Sequence, residues 1–169
     1  MPDVGNKLER KYFQTFIDTT MNGTTPSYKV LGKDLEEFSV DMNPDTEVSK
    51  NILGESTFVH NGYETSASAD PYYCRQGDEL FEALQTIIDN GSQYEGCATT
   101  LLEVHLWDPG TTSGTYKAYK QPCYITPTSY GGDTSGYQIP FDVTYIGKKT
   151  AGYATLDNNY GATFAASAG

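Results

Sequence analysis

Apolar and polar side chains alternate in several short runs along this chain, and only once does the period lengthen to that of a helix. The run "LEEFSVDM" (35–42) puts Phe38, Val40 and Met42 on one side of an extended backbone and Glu37, Ser39 and Asp41 on the other. That is the two-residue period of a strand with one buried face and one wet, acidic face. Residues 99–107 carry Leu102, Val104 and Leu106 on one face, and 138–146 set Ile139, Phe141, Val143 and Tyr145 against Asp142 and Thr144. Further strands are predicted around Tyr12, Phe13, Phe16 and Ile17, over 57–63, over 115–125 (opened or ended near Pro122) and over 153–156. The exception is "GDELFEALQTIIDNG" (77–91). There Leu80, Phe81, Leu84, Ile87 and Ile88 form a single stripe at helical period, which predicts a helix over about 78–90 with a sheet to pack on. Asp78 suits the N-cap and Gly91 the left-handed position after the last turn; Phe81 stands where a capping box needs Glu or Gln.

The connections are long and polar. "MNGTTPSY" (21–28) reads as a turn, "ETSASADP" (64–71) as a connector and "DPGTTSG" (108–114) as a loop. Residues 43–56, bracketed by Pro44 and Gly54, read as a loop or a long projecting hairpin whose Val48, Ile52 and Leu53 have no evident partner within the chain. Residues 157–169, "DNNYGATFAASAG", are small and polar and are expected to be a flexible tail, leaving 1–156 as one domain. The total is about seven strands and one helix, with no internal repeat.

Composition narrows the function classes. A length of 169 residues fits one domain, and 13% aromatic content is too high for a disordered chain. The formal net charge of −11 disfavours a protein that grips nucleic acid through phosphate contacts. Cys74, Cys97 and Cys123 are odd in number and widely spaced, which excludes a complete disulfide framework; idle thiols in a reducing cytoplasm are expected. The N-terminal stretch lacks the apolar core of a signal peptide, and no apolar run approaches the ~20 residues of a membrane span. Asn22-Gly-Thr and Asn90-Gly-Ser fit the glycosylation pattern but read as turns.

Catalytic constellations are not found. His60 and His105 sit in separate predicted strands, with no second histidine at ligand spacing. The turn Gly132-Asp133-Thr134-Ser135-Gly136 has the glycines of a nucleophile elbow, but Thr at its centre and a strand after it where the elbow needs a helix; a phosphate loop needs that helix as well. Gly131, Gly132, Asp133 and Gly136 are therefore expected to form a structural turn. Asp157-Asn158-Asn159-Tyr160-Gly161 begins like a calcium loop, but Ala168 stands where a bidentate Glu is required. Glu36 and Glu37 are adjacent, so on a strand they point to opposite faces and do not pair as glycosidase carboxylates.

Two segments, "GKDLEEFSVDMNPDTEVSKNILGE" (32–55) and "GGDTSGYQIPFDVTYIGKKTAGY" (131–153), flank the helical "PYYCRQGDELFEALQTIIDN" (71–90). Together they resemble the major tail tube protein of long-tailed bacteriophages, a family related to the tubes of contractile phages, tail-like bacteriocins and type VI secretion machinery. The resemblance implies a β-sandwich or partial barrel flanked by one helix, with no enzyme activity and no cofactor. It implies hexameric rings stacked into a hollow tube, in a virion tail assembled in the host cytoplasm. The implied partners are further copies of the chain, tape measure, terminator and distal tail proteins, and double-stranded DNA that passes without tight binding; membrane insertion is not implied. In that frame Glu37, Ser39 and Asp41 are candidates for the lumen lining, where acidic groups repel phosphates. Asp45, Val48, Lys50, Ile52 and Leu53 are candidates for contacts between subunits. A head–tail terminator, a capsid-decorating protein, or a carbohydrate-binding β module using its tyrosines would share much of the same pattern.

Overall fold

Leu101 and Leu102 are neighbours in the chain, both almost fully buried, and they belong to two different cores. Successive strand residues face opposite sides of a sheet, so the sheet must be covered on both faces. The computed structural model, which describes residues 5–33, 35, 37–69, 72–158 and 160–166, shows how. In chain order its strands are β1 (Phe13–Asp18), β2 (Tyr28–Leu31), β3 (Val40–Asp41), β4 (Pro44–Lys50), β5 (Ser56–Tyr63) and β6 (Ser66–Ala69). After the helix α1 (Glu79–Asn90) come β7 (Ala98–Pro109), β8 (Thr115–Pro127), β9 (Gly131–Asp133), β10 (Gly136–Gln138), β11 (Phe141–Tyr145), β12 (Thr150–Leu156) and β13 (Gly161–Ala165). The main sheet runs β12-β13-β2-β1-β7-β8-β11-β6-β3, and a further β12–β8 pairing closes the first six of these into a barrel. Closure removes the edges of those six strands.

One core lies inside the barrel. Phe16, Tyr28, Leu102, Val104, Ala118 and Ala154 all come from barrel strands, and Phe16 opposes Leu102 as Val104 opposes Ala118. Alanines and a glycine fit the narrow interior. A Cβ on Gly152 of β12 would collide with the Ala165 carbonyl oxygen and the Phe164 ring of β13. The other core lies between the outer face of the sheet and α1, where Ile17, Leu101, Ile125, Phe141 and Val143 meet Leu80, Leu84 and Ile87. Asp78 accepts a hydrogen bond from Leu80 N and caps the helix, and Gly91 ends it in the left-handed region at φ 58°. Phe81 and Ile88 flank the buried stripe and are only half-buried.

The chain is thus mainly β, a barrel with extra strands and one helix, but several expected boundaries need correction. The predicted strand 35–42 is regular only over β3; Phe38 is buried as expected, whereas Met42 is 53% exposed. None of its described residues before Val40 has a sheet neighbour, and Leu35 N donates to Gly32 O at 3.3 Å. The polar connector 64–71 contains β6, which pairs with β11 and buries Ala67 and Ala69. Its apolar face is made of alanines alone, too small to register as a hydrophobic run. β8 continues through Pro122, because that residue stands where the strand changes neighbours: β12 pairs as far as Lys120, and β11 begins at Cys123. A missing N–H is tolerated at such a handover. The expected flexible tail contains β13, which pairs with both β12 and β2 and completes the barrel. Like β6 it carries no hydrophobic run: "GATFA" is small, with one large apolar side chain.

Candidate assembly surface

β4 and β5 form a hairpin separate from the main sheet, and each of their residues is exposed except the half-buried Gly62. The hairpin is nevertheless well built. At its base Asn43, at φ 46°, donates from Nδ2 to Glu64 O at 3.0 Å and to Ser66 Oγ at 3.1 Å. At its tip Asn51 Oδ1 accepts from Leu53 N at 2.9 Å and from Glu55 N at 3.0 Å, while Asn51 Nδ2 reaches Glu55 Oε2 at 2.7 Å. Gly54 takes φ 79° to close the turn. This ordered tip holds Ile52 wholly in solvent, with Leu53 at 77% exposure. Along the arms Val48 opposes Phe58 and Thr46 opposes His60. His60 packs edge-on against Phe58 and Tyr63 and accepts Gly62 N at Nδ1. Of the expected inter-subunit residues, Asp45, Val48 and Lys50 lie on β4 and Ile52 and Leu53 at the tip, all exposed.

Glu37, Ser39 and Asp41 are exposed, while Phe38 between them is buried. Asp41, on β3 at the margin of the sheet, opposes Ser66 of β6. Glu37 instead lines a groove of about 350 Å³ with Arg10, Phe13, Leu35 and Lys33. The structure therefore does not put the three on one continuous strand face. Glu36 lies outside the described residues.

The expected turn 131–136 lies within the small β9–β10 hairpin, residues 131–138. Gly132 has φ 119°, and a Cβ on it would run into Gly136 O. Ser135 N donates to Asp133 Oδ1 at 2.8 Å. The hairpin clamps the helix: Tyr137 donates its hydroxyl to Gln85 Oε1 at 2.8 Å and its ring meets Phe81, while its carbonyl accepts Cys74 N at 3.0 Å. Asp157 holds another turn, accepting Gly161 N at 2.9 Å to launch β13.

Among the described residues no group of three or more His, Cys, Asp or Glu is placed to hold a metal, and no helix is long and apolar enough to cross a membrane. Burial pushes the Cys123 thiol up to about 12 and raises that of Cys97, so neither is a ready nucleophile. His105 lies in an aromatic cluster on the outer barrel face, stacked on Trp107 at 4.5 Å and near Phe13 and Tyr119. Desolvation there lowers its pKa, only partly opposed by Glu103. Sequence patterning did not reveal this cluster, because its members come from three strands that only the barrel brings together.

No family model and no curated protein sequence matches the chain. Solved structures share its fold. One is a chain from the tail of an empty GTA particle, determined with C6 symmetry, at TM-score 0.55 and 14% identity, covering 85% of this chain and 97% of that one. Another is the sheath/tube terminator of an extracellular contractile injection system (PVC) in its extended state, at TM-score 0.52 and 14% identity, covering 88% of this chain and 99% of that one. At such identity the likeness establishes a common fold.

Proposed function

We propose that the chain is a structural subunit of a phage-type tail, forming hexameric rings that stack into a hollow tube through which the genome leaves. The observation that carries this is the ordered, exposed hairpin β4–β5, whose Ile52 and Leu53 stand in solvent, uncovered by any of the described residues. A rigid apolar tip in solvent is costly unless another surface covers it. Support comes from the fold shared, over nearly the whole of both chains, with a component of a C6-symmetric tail. The projecting hairpin would bridge to a neighbouring subunit or ring, in a heterologous contact that closes within rings and stays open along the tube. Further partners would be the tape measure, terminator and distal proteins of the tail, with the virion tail as location. The acidic surface would let DNA pass without adhering.

A second reading is favoured by the likeness to a sheath/tube terminator: one ring that caps a tube and does not stack. Negative-stain microscopy of the purified protein at high concentration separates the two. Filaments with a central channel support the tube, isolated rings support the terminator, and monomers alone at millimolar concentration remove both.

A further inference from the structure

Two adjoining clefts share Val30, Lys33 and Tyr160 and run alongside β1 and β2, with volumes of about 350 and 320 Å³. Their walls carry Arg10, Lys11, Lys29, Lys33 and Arg75, five of the eleven basic residues in a chain of net charge −11. Among the described residues the acidic ones lining them are Glu37, Asp78 and Glu79, and outside the lining Glu9 pairs with Lys11 at 2.9 Å. Two of these are engaged elsewhere: Asp78 caps α1, and Glu79 accepts Thr19 Oγ1 at 3.0 Å and Ser27 Oγ at 3.1 Å. The first cleft also has an apolar floor of Phe13, Val30, Leu31, Leu35 and Phe38. Arg10 fixes its geometry, donating from Nη1 to Phe13 O and from Nη2 to Phe38 O at 3.0 Å, which ties the irregular stretch before β3 to β1. Lys33 is held over the Tyr160 ring at 4.9 Å. An apolar floor with a cationic rim suits a short apolar segment carried on an element of net negative charge.

The hairpin has that composition. Its tip offers Ile52 and Leu53, and Asp45, Glu47 and Glu55 outnumber its single Lys50. Resting on the tube assignment above, we propose that the cleft lined by Arg10, Lys33, Leu35 and Phe38 receives the hairpin tip of a second copy of this chain. Ile52 and Leu53 seat on the apolar floor, and Glu55 meets Lys33 at the rim. Complementary charge fixes the register of such a contact, and the buried tip supplies its affinity.

The test uses the full chain. Wild-type protein and the Lys33→Glu, Glu55→Lys and Lys33→Glu/Glu55→Lys variants are compared for polymer by sedimentation and microscopy, with melting temperatures confirming that each folds. The expected result is loss of polymer in each single variant and recovery in the double. Independently, Ile52→Cys protein is mixed with Lys33→Cys protein under oxidising conditions, with each single variant alone as the control for the native cysteines. A cross-linked dimer that needs both variants is expected. If wild-type protein polymerises while Lys33→Glu polymerises equally well and the mixture gives no specific dimer, the cleft is not the acceptor, though the tube assignment stands. An Ile52→Cys/Lys33→Cys chain is included as well; if it links only within itself while the mixture gives no dimer, the proposal is overturned in favour of a hairpin folded on its own body. If wild-type protein forms neither rings nor polymer, the tube assignment falls and the proposal with it.

Discussion

Lys149 Nζ lies 2.8 Å from Glu103 Oε2, yet the lysine side chain is 49% exposed and the glutamate 7%. Glu103 faces outward from β7, opposite Thr15 on β1 and Tyr119 on β8. The Tyr145 hydroxyl, buried and without a hydrogen-bond partner among the described residues, has its pKa raised by burial first and by Glu103 second. The loop between β11 and β12 thus supplies a cation to this nearly buried carboxylate. Removing one partner of a buried pair is more damaging than removing both. Lys149→Ala is expected to cost about 1–3 kcal/mol, below the full penalty for a buried pair because the lysine is half in water. Lys149→Ala/Glu103→Gln should recover part of that loss. Urea denaturation of the two variants checks it, and equal losses in both would refute it.

The helix gives a graded prediction. Leu84 is fully buried, so Leu84→Ala should cost about 2–5 kcal/mol through lost burial and the cavity left behind. Ile88 lies at the margin of the stripe, half-buried, and Ile88→Ala should cost clearly less. Thermal melts of both variants decide, and a larger loss at Ile88 would show that the contact is centred elsewhere.

His105 predicts a pH dependence. Its folded-state pKa is lowered from 6.5, chiefly by desolvation among Phe13, Trp107 and Tyr119, with Lys149 and Lys117 also lowering it and Glu103 and Asp108 opposing. Below 6.5 the unfolded chain therefore binds a proton more readily than the folded one, so stability is present above 6.5 and declines as the pH falls from there toward the folded pKa. His105→Phe should flatten that part of the stability curve. Melting temperatures of both proteins at intervals below pH 6.5 test this; parallel curves would assign the decline to other groups.

Much of this architecture was legible in the sequence, for identifiable reasons. The five-residue stripe and Asp78 located α1, and large alternating side chains located β7 and β11. Strands β6 and β13 escaped because their buried faces are built from alanine and glycine, which carry little hydropathy: Ala67 and Ala69 in β6, and Gly161 in β13; β2, whose Tyr28 falls in the expected turn 21–28, has only four residues, too few to show a period. Met42 broke the expected alternation because β3 ends where the hairpin leaves the body. Val48, Ile52 and Leu53 stood out as apolar residues without an evident partner, and the structure leaves them exposed. The cationic clefts were not legible, since Arg10, Lys33 and Arg75 are separated in sequence and come to adjoining clefts only through the packing of β1, β2 and the start of α1.

The hairpin can be removed without touching either core. Replacing residues 44–62 with a short glycine-containing turn deletes β4 and most of β5, which pair only with each other. A monomer with nearly unchanged melting temperature but no ability to polymerise is expected. Circular dichroism and sedimentation check the two halves of that statement, and normal polymers from the deletion would end the assignment of the hairpin to assembly.

The last prediction concerns passage of DNA. Glu37 lies in the cleft beside Arg10 and Lys33, so of the acidic positions flanking Phe38 and Val40 it is Asp41, exposed on β3, that remains for a lumen. In a six-fold ring it would form a band of six carboxylates, repeated in every ring. A solvated carboxylate contributes little to folding, so Asp41→Lys should fold and assemble. Its cost should fall on transport: each ring would offer DNA six cations, and counterion release would favour adhesion. Genome ejection from particles carrying Asp41→Lys should be slowed, and more so at low salt, where charges are less screened. Ejection kinetics measured across a salt series provide the test. Mutant particles that eject at the wild-type rate at low ionic strength would place Asp41 away from the path of the DNA.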